Sequence, residues 1–189
     1  CLLSRGLGDV YKRQDLTSHQ EHSRKKQMYR DDAFNESYVP YVVETSLGAD
    51  RCFLAIFCNA LTTETVGEGD KQKERTYLAF HPAIAPIKLA ILPLTKKDGL
   101  PEIGKEIYND LKIDFNVTYE DNANIGKRYT RQDLIGTPFC VTVDHQTLED
   151  GTVTLRHRDS MEQERVHKDQ LYSIVAKSCS PKSIFEKLV

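Results

Sequence analysis

The chain has 189 residues, 39% of them hydrophobic and 29% charged, which suits one soluble domain or one domain plus part of another and excludes a large multidomain enzyme. Its 26 Lys and Arg against 28 Asp and Glu leave a formal charge of -2, so no global field draws it to nucleic acid or membrane, and any RNA contact must come from a local patch. The longest apolar stretch, residues 84–94, is interrupted by Pro86, Lys88 and Pro93 and falls short of the ~20 residues a membrane helix needs. Cys1, Cys52, Cys58, Cys140 and Cys179 are odd in number, widely spread and free of any C-x-x-C pair, which reads as reduced thiols in a cytoplasmic setting. His19 and His22 share a helical spacing but have no third ligand nearby, so no metal site is expected.

Residues 1–14 (CLLSRGLGDVYKRQ) show no helix or strand period and change abruptly into a polar segment. One permitted back-translation of residues 9–14 resembles the transposase end sequence used in DNA library preparation. Residues 1–14 are therefore expected to be a non-native scar, with the chain the C-terminal part of something longer. A secretory signal would need an apolar core that Leu2 and Leu3 do not supply.

Residues 15–36 are polar and charged and would not fold alone. Residues 38–46 (YVPYVVETS) are rich in β-branched and aromatic residues and read as a strand, with Pro40 near its start. After Gly48 and Asp50, the residues Phe53, Leu54, Phe57, Cys58 and Leu61 mark one face of a helix. Residues 62–76 (TTETVGEGDKQKERT) are polar and glycine-containing, the best linker or surface-loop candidate.

The apolar run 87–94 predicts a strand buried on both faces, and Ile103, Ile107 and Leu111 predict an amphipathic helix over 98–112. Residues 115–119 read as a strand, 125–134 as a helix, and 139–143 as a strand in which Cys140 belongs to the core. Glu149-Asp150-Gly151 reads as a hairpin turn into a strand over 152–158, with 163–166 returning and a last helix over 169–177. Strands alternating with helices imply a largely parallel core.

In a strand, Glu44 and Ser46 project from the same face, placing a carboxylate beside a hydroxyl. Such a pair can hold a small ammonium group. Gly48 lets backbone approach a ligand, and Arg51 offers a planar cation for a base or a phosphate. The same residues also read as an edge-strand Glu, a turn Gly and a surface Arg.

The string 38–51 (YVPYVVETSLGADR) closely resembles the third signature motif of class II aminoacyl-tRNA synthetases, in the form found in the dimeric bacterial glycyl-tRNA synthetase family. Residues 15–23 (DLTSHQEHS) resemble the segment before that motif, and 81–88 (HPAIAPIK) the start of the family's anticodon-binding domain. Residues 125–129 (IGKRY) through 136–139 (GTPF) resemble that domain's glycine-marked helix and strand, and 161–166 (MEQERV) its C-terminal turn.

The resemblance, covering about residues 15–180, implies an α/β fold. The C-terminal piece of an antiparallel class II catalytic sheet, 15–66, would be followed by a loop or linker, 67–82. An α/β anticodon-binding domain, 83–189, would follow with a mixed five-stranded sheet and flanking helices. It further implies ATP-dependent attachment of glycine to tRNA through a glycyl-adenylate, with glycine, ATP, Mg2+ and glycine tRNA as partners, a cytoplasmic homodimer, and no membrane. Glu44, Thr45, Ser46, Leu47 and Gly48 would form the glycine site. Gly48, Ala49, Asp50 and Arg51 would line the ATP site, with Arg51 as the catalytic cation. Only the third signature is present, so this chain alone is expected to be inactive, and 67–75 is more polar than the family pattern.

Lys127, Arg128 and Arg131, interleaved with Tyr129, form one basic group and Arg156, Arg158 and Arg165 another, which are candidate tRNA contacts. The same groups also read as solvated faces with Asp133, Asp159 and Glu164 as ion-pair partners. His145, His157 and His167 read as surface or partly packed side chains. The alternative to a ligase is a noncatalytic RNA-binding or polymerase-accessory module. Joint retention of Glu44, Ser46 and Arg51 favours the enzyme.

Overall fold

The computed structural model describes residues 10–11, 14–40, 42–43, 47–67, 69 and 72–186. The chain divides into two compact units, Cys1–Ile56 and Phe57–Val189.

In the first unit, β1 (Val10–Tyr11) pairs antiparallel with β4 (Val42–Val43), so two residues of the segment read as a scar take part in a strand pair. Residues 15–36, expected not to fold alone, carry α1 (Gln14–Ser23) and a hairpin of β2 (Tyr29–Asp31) and β3 (Glu36–Tyr38). The Asp31 carboxylate accepts the Ala33 backbone N–H at 2.9 Å, and Asn35 supplies the left-handed residue that closes the turn, φ 51°. This Asx turn was legible in D-D-A-F-N but was masked by the high polarity of the segment. The single strand expected over 38–46 is broken among the described residues: β3 ends at Tyr38 and β4 begins at Val42, either side of Pro40, which has no N–H to give a ladder.

Helix α2 (Ala49–Ala60) runs through the division between the units. It begins earlier than its apolar period suggested. Its expected face remains largely open among the described residues: Phe53, Leu54, Phe57 and Leu61 are exposed, and Ala60 is buried. Directly after it come β5 (Leu61–Val66) and β6 (Lys73–Leu78), paired antiparallel over six residues. The loop or linker expected over 62–76 is thus mostly a β-hairpin. Polarity disguised it. Thr62, Thr63, Thr65 and Val66 are β-branched, burial alternates along β5, and the Thr63 and Thr76 hydroxyls meet across the strands at 3.2 Å.

The body of the second unit is a mixed five-stranded sheet in the order β11-β10-β9-β7-β8. Strand β7 (Leu89–Pro93) lies between β8 (Val117–Tyr119) and β9 (Phe139–Val143), parallel to both and wholly buried. Antiparallel β10 (Thr152–His157) and β11 (Gln163–His167) extend it. The expected largely parallel core therefore holds for three strands, and a hairpin supplies the other two.

Helices α3 (Leu100–Leu111) and α6 (Leu171–Cys179) cover one face, where Ile107, Leu111, Leu171 and Val175 close over Leu89, Ile91, Val141, Val143 and Leu155. Helix α4 (Ile125–Ile135) covers the other, with Ile125 and Tyr129 against Ala90, Leu92 and Cys140. Successive residues of a strand face opposite sides, so β7 serves both cores. The segment before β7 folds around a cation: the Lys88 ammonium donates to the carbonyls of Pro82, Ala83 and Ala85 at 2.8–3.1 Å, and burial lowers its pKa.

The hairpin turn expected at 149–151 is instead the end of a short helix, α5 (His145–Asp150). Asp144 and Thr147 form a reciprocal capping box at its start, and Gly151 ends it at φ 69°. A short helix, α7 (Lys182–Phe185), follows α6.

Gly136, at φ 81°, ends α4 where β6 passes close by: a Cβ there would lie 2.5 Å from Phe80 Cδ2 and 3.0 Å from the Leu78 carbonyl. Gly136→Ala should therefore cost about 2 kcal/mol, combining left-handed strain with the clash, read as a lowered urea midpoint.

Candidate nucleotide and RNA sites

Glu44, Thr45 and Ser46 lie outside the described residues. Of the signature, Leu47 is exposed and the Gly48 carbonyl accepts the Cys52 N–H at 3.0 Å, which makes Gly48 the cap from which α2 starts. A Cβ on Gly48 would make ordinary contacts with the Arg51 side chain at 3.6–3.8 Å, so packing among the described residues does not itself demand glycine. Ala49, Asp50 and Arg51 form the exposed first turn. Asp50 suits the positive end of the helix dipole, whereas Arg51 opposes it by about 0.3–1 kcal/mol. Among the described residues Arg51 has no ion-pair partner. Its position is therefore not accounted for by helix stability, and it presents a free planar cation beside helix N–H groups, an arrangement suited to phosphate.

The basic residues of the second unit separate into two kinds. Arg128, Arg156 and Arg158, read as candidate tRNA contacts, are buried, with 2%, 6% and 2% of their surface exposed. Arg128 donates to the carbonyls of Pro93, Leu94 and Glu120 and ties α4 to the ends of β7 and β8. Arg156 grips Asp133 with both terminal nitrogens, at 2.9 and 3.0 Å, and lies over the Tyr129 ring at 4.7 Å. Burial opposes its charge, but the bonds to Asp133 outweigh that and raise its pKa. Arg158 donates to Asp159 and to the carbonyls of Gly136 and Phe80. Tyr129, half-buried, meets the Thr142 hydroxyl at 2.6 Å.

These three guanidiniums are consumed inside the domain and do not present themselves to RNA. A sequence shows that an arginine is present, not whether acceptors are already waiting for it.

Lys127, Arg131 and Arg165 keep solvent-facing cations, and the fold brings others to the same end of the sheet. Past the C-terminal end of β7, Lys96 reaches Asp121 at 3.2 Å and Asn122 at 2.9 Å. Arg131 donates to the Asn122 carbonyl and pairs with Glu120 at 2.7 Å. Past β9, Asp144 receives Arg165 from β11, and His145 stands 4.0 Å from Asp98. The loops here are tightly turned, with Asp98, Gly99 and Ala123 in left-handed conformations.

Lys96, Asn122 and Asp144 were not singled out in the sequence. The available signal was their place just after predicted strands, since open α/β sheets bind ligands beyond the carboxyl ends of their strands. Burial raises the Asp144 carboxyl, but hydrogen bonds from Arg165 and Thr147 outweigh it and hold the pKa below the ordinary value.

Cys140, His157 and His167 are held by packing and hydrogen bonds within the chain. Burial pushes the Cys140 thiol up to about 12, so it is no nucleophile. His157 packs edge-on against Phe139 and meets Glu164 at 3.0 Å, and His167 accepts the Asp169 N–H. Among the described residues no three His, Cys, Asp or Glu side chains converge as metal ligands. No described helix is long and apolar enough to cross a membrane.

Residues 88–178 match the family model of an anticodon binding domain. The fold is similar to the RNA binding domain of threonyl-tRNA synthetase from Cryptosporidium parvum Iowa II, with a TM-score of 0.50 and 23% identity, over 55% of this chain and 26% of that one. By its sequence relatives the chain belongs to the class II aminoacyl-tRNA synthetases. In sequence the chain is 53% identical over 161 residues to the glycine-tRNA ligase of Treponema denticola, covering 84% of this chain and 36% of the relative. It is 53% identical over 165 residues to that of Clostridium perfringens, covering 87% and 35%. The chain belongs to the glycine-tRNA ligase family and spans about a third of the length of these curated relatives.

Two outcomes check the electrostatics. Asp133→Ala strands the buried Arg156 guanidinium and takes one of the two carboxylate partners of Arg75, and should cost about 3–5 kcal/mol in denaturant unfolding. The lowered Asp144 pKa means its contribution is full above about pH 4 and drains as pH falls through the folded value; Arg165→Ala should flatten that acid limb in urea titrations run from pH 6 downward.

Proposed function

We propose that the protein carrying this chain attaches glycine to its tRNA. It would first join glycine to ATP with release of pyrophosphate, then pass the glycyl group from the adenylate to the terminal ribose of the tRNA. The observation that carries this reading is the 53% identity to a glycine-tRNA ligase over 84% of the chain.

On this reading Glu44 and Ser46 receive the glycine ammonium, the carboxylate supplying charge and the hydroxyl a lone pair. Thr45, Leu47 and Gly48 complete a pocket without room for a larger side chain, and steric exclusion of alanine is easier than rejection of a smaller substrate. Gly48, Ala49, Asp50 and Arg51 line the ATP site. The exposure of Arg51, which has no ion-pair partner among the described residues, supports its role: it packs on the adenine, meets the terminal phosphates and stabilises charge on departing pyrophosphate. No covalent enzyme intermediate is required, and catalysis is positioning plus electrostatics. Mg2+ would accompany ATP as its metal complex.

The tRNA anticodon binds the edge beyond the carboxyl ends of β7, β8 and β9, where Lys96, Asn122, Lys127, Arg131 and Arg165 offer phosphate and base contacts. The domain plan is a catalytic piece from residue 15 through α2, then the β5–β6 hairpin and the anticodon-binding domain. The protein acts as a cytoplasmic homodimer. The 189-residue chain holds one of three class II signatures and is inactive alone.

In the full-length protein, Arg51→Ala should lower glycine-dependent ATP–pyrophosphate exchange by about 100-fold or more, and near-normal exchange would overturn its assignment. Glu44→Gln should raise the glycine KM by about tenfold with little change for ATP. Arg131→Glu should weaken tRNA charging while sparing exchange, which needs no tRNA. The isolated chain should show no exchange.

A further inference from the structure

The β5–β6 hairpin is bolted to the five-stranded domain by an exchange of buried arginines. From the hairpin, Arg75 donates to the Arg158 carbonyl at 2.6 Å and to Asp133 at 3.0–3.1 Å. From the end of β10, Arg158 returns to the Phe80 carbonyl, just beyond the hairpin, at 2.8 Å. Asp133 is held in turn by both terminal nitrogens of Arg156, and Glu64 pairs with Arg75 at 2.6 Å across the hairpin.

Side-chain exposures of 12% for Arg75 and 5% for Asp133 keep this cluster from solvent, and Arg75 lies 4.2 Å over the Tyr77 ring. The close approach of Phe80 to Gly136 leaves no slack at the joint. The hairpin is also the only covalent connection from α2, and hence from Arg51, to the sheet: β5 starts at the residue after α2 ends, and the Ala79 N–H donates to the Ala60 carbonyl at 2.7 Å.

We infer that Arg75, clamped by Asp133 and the Arg158 carbonyl, is a positioning residue for tRNA charging that fixes the hairpin on the anticodon-binding domain. The inference rests on the function proposed above. A tRNA charged by this protein is held at two places, its anticodon on the sheet edge and its terminal ribose at the adenylate. The second engagement then depends on an effective concentration set by the stiffness of the chain between them. Loosening the clamp lowers that concentration without touching either site. Adenylate formation, which involves no tRNA, does not depend on it.

The test is Arg75→Gln in the full-length protein. It leaves the Asp133–Arg156 pair intact, so the interior carboxylate keeps a partner. The expected result is a tRNA KM in charging raised about tenfold, with glycine-dependent ATP–pyrophosphate exchange and the affinity for an isolated anticodon stem-loop RNA both unchanged. Loss of exchange in parallel with charging, weakened stem-loop binding in step with the KM, or unaltered charging would each overturn it. Glu64→Gln, which releases Arg75 on its more open side, should give the same split to a smaller degree even if Arg75→Gln fails to fold; no split in that variant overturns the inference. A wild-type protein without glycine-dependent exchange would instead overturn the functional reading from which this one starts.

Discussion

A carboxylate buried between two guanidiniums organises the second unit. Asp133 sits near the end of α4, yet its partners come from β6 and β10, elements that are distant in sequence. A lone ionised group in such surroundings would cost several kcal/mol. Two arginines, each forked and each lying over a tyrosine ring, satisfy it from opposite sides. Helix, hairpin and sheet must all be in place before the charges are satisfied, so the cluster also specifies how the three pack. The apolar cores on the two faces of β7 supply most of the stabilisation, but apolar contact is non-directional and tolerates repacking. The ionic centre does not.

The same demand for acceptors divides the basic residues by role. Arginines within reach of carbonyls left open at strand and helix ends became interior fasteners: Arg128 at the ends of β7 and β8, and Arg158 at Gly136 and Phe80. Cations beyond the carboxyl ends of the parallel strands remain at the surface, paired with Glu120, Asp121 and Asp144. With 17%, 29% and 23% of their side chains exposed, those carboxylates are more open to water than Asp133 at 5%. A chain of formal charge -2 can in this way still gather cations at one edge. Net charge describes the whole surface, whereas binding depends on one edge of it.

Legibility followed the physical origin of each element. The strands at 89–93 and 139–143 and the helices at 100–111 and 125–135 were read within about two residues at either end, because burial imposes a period that the apolar residues record directly. The β5–β6 hairpin was missed because threonine counts as polar while its branched carbon favours a strand. Helix α5 was missed because the weight given to Asp150-Gly151 as a turn hid the capping box at Asp144 and Thr147. Of the signature residues, Arg51 was read from its motif and stands exposed on the first turn of α2, while Glu44, Thr45 and Ser46 fall outside the described residues.

The sequence by itself determined the family, the α/β character of the second unit, and which positions carry carboxylate, hydroxyl and guanidinium chemistry, because motif strings and hydrophobic periods are local properties of the chain. Only the tertiary structure decided which guanidiniums are buried and which stay at the surface. Arg128, Arg156 and Arg158 look no different from Arg131 and Arg165 in a string of letters. Their fate depends on acceptors tens of residues away: Phe80 for Arg158, Asp133 for Arg156 and Pro93 for Arg128. Desolvation makes that pairing obligatory once the chain has folded, and no local pattern encodes it.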